Sequence, residues 1–381
     1  MLLLAWLLAG GFVQRWQVLR RDPLSWICVL LFGTVVVASA WTAAPADTVV
    51  GHIQKYSKLL FVPVAVSLLQ EARWRERALL AFTAAMLLTL AASMLHVVWD
   101  FPGAKGSGTG LHGNHHIFTN YISQNVMMSF MVLVALTRAA QPADPQAGGW
   151  RWFWLAVALV GIVNIGFFVG GRTGYLTLAA SLFIFAWLAS SRTSRMWLVS
   201  TLVVGGLLMA ASSDRLQERV TQAAQEVQTR HEDGNATSIG LRLGFWEGSL
   251  RLIAQRPLTG TGTGSYSQAF CTAMPAEWCN LPANGHPHNQ LLHSWVEQGL
   301  AGALLVLALL ALPFLAAARC HGARRTLLLG LGATFFIHSM LNPSIFHIDG
   351  LFFLMMFSVL LAGLDFSPHR SGTAAARTPP A

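Results

Sequence analysis

Long apolar runs alternate with short polar loops along most of the chain. The runs cover residues 1–13, 24–44, 57–70, 78–99, 117–137, 152–170, 173–189, 197–212, 290–317, 327–341 and 350–364. Runs of this length predict helices that cross a membrane, although several of them need tilt or extension at their ends. The pattern therefore predicts an all-α polytopic membrane protein with about 11–12 transmembrane helices.

Arginines mark every second loop between these runs. They are Arg15, Arg20, Arg21, Arg73, Arg75, Arg77, Arg138, Arg151, Arg192, Arg195, Arg319, Arg324 and Arg325. Short arginine-rich loops stay in the cytoplasm, so the alternate loops are expected outside it. Eleven spans would place Met1 outside. We therefore expect a further helix to be missing from the start of this chain.

One large polar region interrupts the alternation. Residues 213–289 are predicted to form a periplasmic helical loop between the eighth and ninth observed spans. The chain then divides into N-terminal transmembrane helices over 1–212 (about eight spans), this loop over 213–289, three spans over 290–364, and a disordered cytoplasmic tail over 365–381.

Two amphipathic helices are predicted inside this loop. The apolar stripe of the first is Leu216, Val220, Ala224 and Val227, and that of the second is Ile239, Leu243, Trp246, Leu250 and Ile253, which Pro257 ends. A glycine-rich stretch follows over 259–265. No predicted strand precedes it and no lysine follows it, so it is not predicted to bind a nucleotide.

Composition agrees with the membrane interpretation. Of the 381 residues, 54% are hydrophobic and 11% are charged, and the net charge is +9. The positive charge is mostly arginine spread over short loops, which is a topology signal rather than a nucleic-acid footprint. Four cysteines are too few for a disulfide scaffold. Cys271 and Cys279 are close enough in the long loop to pair if it lies outside the cytoplasm.

The stretch 286–302 runs from the polar loop into an apolar helix. Asn289, Leu292 and Val296 follow helical spacing, which predicts His288 in the first turn. A helix N-terminus carries partial positive charge, which suits an anion and favours a neutral imidazole that can accept a proton. On spacing alone, a proton-accepting His288 and a merely capping His288 are equally supported.

Two arginines are candidates for binding an anion. Arg172 lies in a Gly-Gly-Arg-Thr-Gly break between two apolar runs, where an arginine costs roughly 3 kcal/mol on insertion scales and needs a partner or a water-filled cavity. The alternative is an arginine that reaches lipid phosphates. Arg242 lies one turn before Trp246, and by itself a solvated position is the simpler interpretation. Arg251 and Arg256 share that interpretation.

Histidines and an aspartate in two other outer loops are weaker candidates. His112, His115 and His116 follow His96, but this set has a poor ligand pattern for a metal, and an auxiliary role of His116 in phosphate binding is favoured. Asp349 follows His338, Asn342 and His347. It could orient a histidine or an arginine, bind a sugar hydroxyl, or cap the last helix.

Three of these segments together resemble the O-antigen ligase family, within the superfamily that also contains O-antigen polymerases and protein O-oligosaccharyltransferases. They are Gly-Arg-Thr-Gly at 171–174, Arg242 with Leu243 and Trp246 before Pro-Leu-Thr-Gly-Thr-Gly at 257–262, and His288-Asn289 followed by Gly299 and Gly302. Each motif is short, and the specificity comes from their order around one outer loop. The resemblance raises Arg242 above a solvated position.

The resemblance implies a glycosyltransferase at the periplasmic face of the bacterial inner membrane. It implies transfer of an O-antigen glycan from undecaprenyl diphosphate to a lipid A–core oligosaccharide. Membrane lipids are the other expected partners, and neither nucleic acid nor a cofactor is expected. His288 would accept the proton, Arg172, Arg242 and Asn289 would bind the diphosphate, and His116, Trp246 and Asp349 would be auxiliary. A fixed cation can replace a metal, so metal-independent activity is expected.

Other functions stay open at this point. A polymerase or a protein O-oligosaccharyltransferase of the same superfamily fits nearly as well, although the short tail lacks the extra outer domain common in the second group. A transporter or lipid flippase fits less well. Its polar residues usually gather near the middle of the membrane, whereas here they gather at one face.

Overall fold

The computed structural model is helical, apart from one isolated β-bridge between Ser107 and Asn114 in the part of the chain that it describes. It describes residues 6, 8, 10–100, 102–110, 113–141, 148–189, 238–279, 285–364 and 366. The helices are α1 Phe12–Leu19, α2 Pro23–Ala38, α3 Ala46–Tyr56, α4 Phe61–Leu68, α5 Ala72–His96, α6 Tyr121–Ala139, α7 Gly148–Val163, α8 Arg172–Ala189, α9 Ser238–Gln255, α10 Tyr266–Ala273, α11 Ala276–Cys279, α12 Gln290–Ala317, α13 Gly322–Leu341 and α14 Asp349–Leu361. Short 3₁₀ turns follow α2 and α3, and a π-helix, Asn164–Phe168, follows α7.

Five of the described helical segments are long and apolar enough to cross a membrane. They are Pro23–Trp41, Ala72–His96, Tyr121–Ala139, Gly149–Phe168 and Gln290–Ala317. Arg172–Leu188 and Asp349–Leu361 are shorter apolar helices. The chain is thus a multi-pass helical membrane protein, and the total of eleven or twelve spans stays a prediction. The predicted span 197–212, the loop helix at 216–227, the tail 367–381 and most of the first run lie outside the described residues.

The central helices of the bundle are α6, α8, α12 and α13. Helix α6 packs against α7, α8 and α13, while α12 packs against α2 and α13. Their shared core is large and dry. Its fully buried side chains include Phe130, Leu133, Leu331, Phe335 and Phe357. A core of this kind gives the loops at each end fixed positions.

The loops sort into two groups at opposite ends of the bundle. Arg75, Arg138 and Arg324, from three of the arginine-marked loops, line one cavity. At the other end, Lys58 Nζ donates to the carbonyl of His347 at 2.6 Å, and His115 N donates to the carbonyl of Phe168 at 3.0 Å. The alternation read from the arginines therefore corresponds to a physical separation of the loops.

Residues 45–56 differ from their expected form. They were predicted as an outer loop, and the structure shows that most of them form helix α3. The next predicted run, 57–70, is not one helix either, because a 3₁₀ turn, Ser57–Leu60, precedes α4. Helix α3 has only 11 residues, and its buried side chains are His52 and Tyr56. Two buried positions are too few to show a helical repeat of apolar residues in the sequence.

The glycine-rich stretch 259–265 packs against a kink in α12. Gly299 has φ 67° inside that helix, and a Cβ added to it would lie 2.1 Å from the carbonyl oxygen of Leu258. Thr261 N donates to the carbonyl of Val296 at 2.7 Å, and Gly262 N donates to the carbonyl of Glu297 at 3.0 Å. The glycines thus let two backbones meet, and they fix the direction of the first turns of α12.

Helix α9 buries only part of the predicted stripe, since Ile253 is buried and Leu243 and Trp246 are half-buried. Leu250, a member of that stripe, is 56% exposed, whereas Phe245 and Leu252 are buried. The Phe245 ring contacts Phe270 of α10 and Trp278 of α11 at centroid distances of 5.4 and 5.9 Å. The helix is apolar on several sides, so periodicity alone did not separate Phe245 and Leu252, which are buried, from Leu250, which is exposed.

Cys271 and Cys279 form a disulfide that joins α10 and α11. Their Cα atoms are 5.3 Å apart. Cys28 and Cys320 are buried free thiols. The pairing left open from the sequence is therefore present in the structure.

Candidate functional site

His288 lies just before helix α12 rather than in its first turn. The helix begins at Gln290, and Asn289 is the N-cap. His288 is the non-glycine residue with positive φ, 53°, in the described part of the chain. The prediction of a first-turn position is thus wrong by two residues, and so is the alternative in which His288 itself caps the helix.

Helix α9 holds the backbone and the ring of this histidine. Trp246 Nε1 donates to the carbonyl of Pro287 at 3.0 Å, and the Phe245 ring stacks on the His288 ring at 6.0 Å and 25°. Arg242 lies one turn before Trp246 on the same helix and is close enough for its charge to act on His288. Helix α9 therefore places Arg242 and Trp246 near His288, while their joint role in a site stays a prediction.

His288 is held in its neutral form. Burial, the charge of Arg242 and the nearby His347 lower the pKa of His288 to about 4. Its Nδ1 atom is buried and makes no hydrogen bond to any described residue. A neutral imidazole with a free ring nitrogen can accept a proton from a substrate hydroxyl.

Two further histidines surround His288. The ring centroid of His286 is 4.4 Å from that of His288 and 5.2 Å from that of His347. Burial, followed by the charges of His288, His293 and His347, lowers the pKa of His286 to about 2. The cluster therefore carries little positive charge of its own at neutral pH.

Asn289 has a structural task. Its Oδ1 accepts from Leu292 N at 3.1 Å, and its Nδ2 donates to the carbonyl of Met340 at 3.3 Å. The side chain thus caps α12 and ties it to α13. This arrangement fits the prediction that Asn289 positions His288, while its contact with a diphosphate stays a prediction.

Asp349 orients a histidine, which was one of its predicted roles. His338 Nε2 lies 3.0 Å from Asp349 Oδ2, and the Ser123 hydroxyl lies beside the same carboxylate. The N-cap of α14 is Ile348, so Asp349 is not the cap. Through His338 and Ser123, this carboxylate joins α13 and α14 to the start of α6.

Arg172 is the first residue of α8, directly after the predicted break. A Cβ on Gly171 would lie 3.2 Å from the Tyr121 ring, and the His116 ring lies 6.0 Å from that ring. Arg172 and His116 therefore both lie beside the start of α6. Ser123, in the first turn of the same helix, lies close to Asp349. The convergence of Arg172 with Arg242 and His288 stays a prediction.

The outer-loop histidines mostly hold their own loop together. His96 Nδ1 and His115 Nδ1 are 2.8 Å apart, His96 Nε2 lies 3.0 Å from Asp100 Oδ1, and His115 Nε2 lies 2.8 Å from the carbonyl of Gly110. His112 lies outside the described residues. On the loop helix, Arg251 pairs with Glu247 at 2.7 Å in an exposed position, which agrees with a surface role.

Three polar residues of this end were not singled out from the sequence. His52, His293 and Glu297 are buried together just behind the start of α12. A signal for two of them was present, since His293 and Glu297 are four residues apart on one face of an apolar run. Acidic residues inside such runs are costly and rarely lack a role.

Residues 156–307 match the O-antigen ligase family. The matched segment begins in α7 and ends in α12, so it contains Arg172, Arg242, His288 and Asn289. His116 and Asp349 lie outside it.

Two further similarities are weaker. An uncharacterized protein of Haemophilus influenzae is 25% identical over 167 residues, which are 41% of this chain and 41% of that protein. The match with this relative thus spans about two fifths of its length. A solved structure titled "Structural coordination of polymerization and crosslinking by a peptidoglycan synthase complex" gives a TM-score of 0.44 at 17% identity, and it covers 88% of this chain and 96% of that one.

Proposed function

We propose that this protein transfers an O-antigen glycan from undecaprenyl diphosphate to a sugar hydroxyl of the lipid A–core oligosaccharide. The observation that carries the proposal is the position of a neutral His288 against helix α9, which carries Arg242 and Trp246, inside the family-matched segment of a helical membrane protein. The active site would lie at the periplasmic face of the bacterial inner membrane.

In this proposal His288 acts as the general base. It takes the proton of the acceptor hydroxyl while that oxygen bonds to the anomeric carbon of the donor sugar. The bond from the anomeric carbon to the phosphate oxygen breaks, and the diphosphate leaves with the electron pair. Arg242 and Arg172 balance the charge that develops on the leaving group, so the step needs no metal.

Donor binding would also tune the base. Arg242 contributes to the low pKa of His288 in the free protein. A bound diphosphate would neutralise that positive charge and bring two negative groups near the imidazole, which raises its pKa toward neutrality. A base is most effective when its pKa is close to the working pH, so the imidazole gains proton affinity when the donor is in place.

The lipid acceptor and donor would approach from the loop side of the bundle. Helix α9, which carries Arg242 and Trp246, lies across this entrance and packs on α12. We propose that it helps to exclude water, which would otherwise compete with the acceptor hydroxyl. Asn289 keeps the start of α12 in place, and Asp349 holds His338 on the opposite side.

The test is His288→Ala in a strain that lacks its own ligase. We expect normal amounts of protein in the membrane, loss of the lipopolysaccharide ladder on a gel, and accumulation of carrier-linked glycan. A loss of 10²- to 10⁴-fold is the usual effect of removing a general base. The matched control is His321→Ala, because this histidine is exposed at the arginine-marked end.

An intact ladder with His288→Ala would remove His288 as the base. A wild-type chain that restores polymer length in a polymerase-deficient strain, but no ladder in the ligase-deficient strain, would replace ligation with polymerisation.

A further inference from the structure

Three buried side chains converge behind the start of α12, and the transfer proposal uses none of them. They are His52 of α3 and His293 and Glu297 of α12, with exposed fractions of 8%, 0% and 0%. One ligand atom from each lies within 4.8 Å of the other two. Imidazole nitrogens and carboxylate oxygens are the ligands that zinc takes in proteins.

The distances in this cluster are too long for good hydrogen bonds. His52 Nδ1 lies 3.4 Å from Glu297 Oε2, and His293 Nε2 lies 3.5 Å from Glu297 Oε1. Both nitrogens are buried and form no hydrogen bond within the described residues. Ligand atoms about 2.0–2.1 Å from a tetrahedral zinc ion lie about 3.3–3.4 Å from each other. Each of the two nitrogen–oxygen distances is close to that length, and they end on the two different oxygens of Glu297.

A bound cation would also balance the charge of Glu297, whose other positive partners are His52 and His293 in their protonated forms. Glu297 is fully buried, and a buried carboxylate is costly unless a positive charge or several donors compensate it. Tyr266 N and Gln298 Nε2 donate to its two oxygens at 3.4 and 3.2 Å, but neither carries charge. These two donors orient the carboxylate in the way that outer partners orient a metal ligand.

The walls around the cluster are aromatic. The Phe346 ring lies 4.8 Å from His52 and 5.1 Å from His293, and the Tyr266 ring lies 5.9 Å from His293. Lys55 is the nearby cation on α3, and its Nζ sits over the Phe346 ring at 3.9 Å rather than on the carboxylate. The polar ligands therefore face one another inside an aromatic shell.

We propose that His52, His293 and Glu297 bind one structural zinc ion, with water as its fourth ligand. The ion would join α3 to α12 across 241 residues of chain, close to the kink at Gly299. It would thereby hold the segment that carries His288 and Asn289. This site goes beyond the transfer proposal, and it is tested by measuring metal binding rather than glycosyl transfer.

The experiment is metal analysis of the full-length protein in detergent, after loading with Zn²⁺ and removal of free ion. We expect about one zinc per chain, retained by His321→Ala and lost at least tenfold in His293→Gln and Glu297→Gln. Zn²⁺ should raise the Tm of the wild-type protein and of His321→Ala, but not that of the two ligand variants.

X-ray absorption of the zinc-loaded wild-type protein gives a measurement that does not depend on how the variants fold. We expect imidazole nitrogen and carboxylate oxygen ligands at about 2.0–2.1 Å and no sulfur ligand. No zinc above the detergent blank, zinc retained by both ligand variants, or a sulfur-containing shell would each overturn the proposal. A lost lipopolysaccharide ladder with zinc still bound would count against the transfer proposal alone.

Discussion

His288 combines two linked features, a neutral imidazole and a neighbouring arginine. Burial lowers its pKa first, and the charge of Arg242 lowers it further. In the proposed mechanism the same arginine also binds the diphosphate of the donor. Under that proposal, one side chain lowers the proton affinity of the base until the substrate binds.

This arrangement predicts an unusual pH dependence. A base works only when it is unprotonated, so activity is lost as pH falls through its pKa. For kcat/KM, which reports the free protein, we expect the acid limb to be centred near pH 4, well below the 6.5 of an ordinary histidine. For kcat, which reports the donor complex, we expect a higher midpoint.

Arg242→Gln should move the kcat/KM limb upward, because it removes one cause of the lowered pKa, while activity at neutral pH falls. Both profiles would be measured with purified protein in detergent. Size-exclusion chromatography at each pH would show that the protein is still folded. An unchanged acid midpoint in Arg242→Gln would contradict the coupling between these two residues.

The sequence singled out those candidate residues that are unusual in their local surroundings or that carry the family resemblance. Arg172 stood out as an arginine at the end of an apolar run, and Arg242 with His288 stood out through the family resemblance. His52 gave no such signal, because its partners come from the other end of the chain. Only the fold brings His52 to His293 and Glu297.

The kink of α12 is the element on which the site depends. Gly299 has a backbone conformation that other residues avoid, and the carbonyl of Leu258 occupies the space that a Cβ would need. Residues 290–298 and 300–317 therefore take two directions. The first of these segments carries the capped end next to His288.

Gly299→Ala should destabilise the protein by about 1–3 kcal/mol, the usual cost of one strained backbone position. Thermal unfolding in detergent would show this as a lowered Tm. Gly33→Ala is the matched control, since Gly33 lies inside α2 with nothing within 4 Å of an added Cβ. That change should be neutral or stabilising by up to about 1 kcal/mol. Equal Tm values for both variants would contradict the role of the kink.

Element boundaries were predictable where the apolar runs were long. The run 290–317 coincides with α12, and the break near 170 separates the π-helix after α7 from α8. Helix α3 was missed because only two of its side chains are buried. The buried face of α9 was predicted only in part, because Phe245 is buried by its contacts with Phe270 of α10 and Trp278 of α11, which the hydrophobic period of α9 does not reveal.

For the whole molecule, the separation of the loops into two groups is the main consequence of the arginine pattern. Arginine-marked loops share a cavity at one end, and the candidate site lies at the other. The orientation of these two ends in the membrane stays a prediction from the positive-inside rule.

Cysteine labelling tests this orientation. Ser107→Cys and Gln141→Cys place a thiol at exposed positions of the two ends. We expect a membrane-impermeant maleimide to label Ser107→Cys from the periplasm, and Gln141→Cys only after the inner membrane is opened. The wild-type protein is the blank, since Cys28 and Cys320 are buried and the other two cysteines are paired. The reverse labelling pattern would invert the topology.

The packing of the glycine-rich stretch also sets an order of events during synthesis. Thr263 Oγ1 donates to the carbonyl of Val35, a contact that spans 228 residues. At about 5–20 residues per second, the ribosome delivers Thr263 roughly 10–45 s after Val35 has left it. Until then the carbonyl of Val35 in α2 lacks its bond from Thr263. The bonds of Thr261 and Gly262 to the carbonyls of Val296 and Glu297 form only after α12 has also been made. A nascent chain halted before residue 263 therefore lacks this contact between α2 and the glycine-rich stretch.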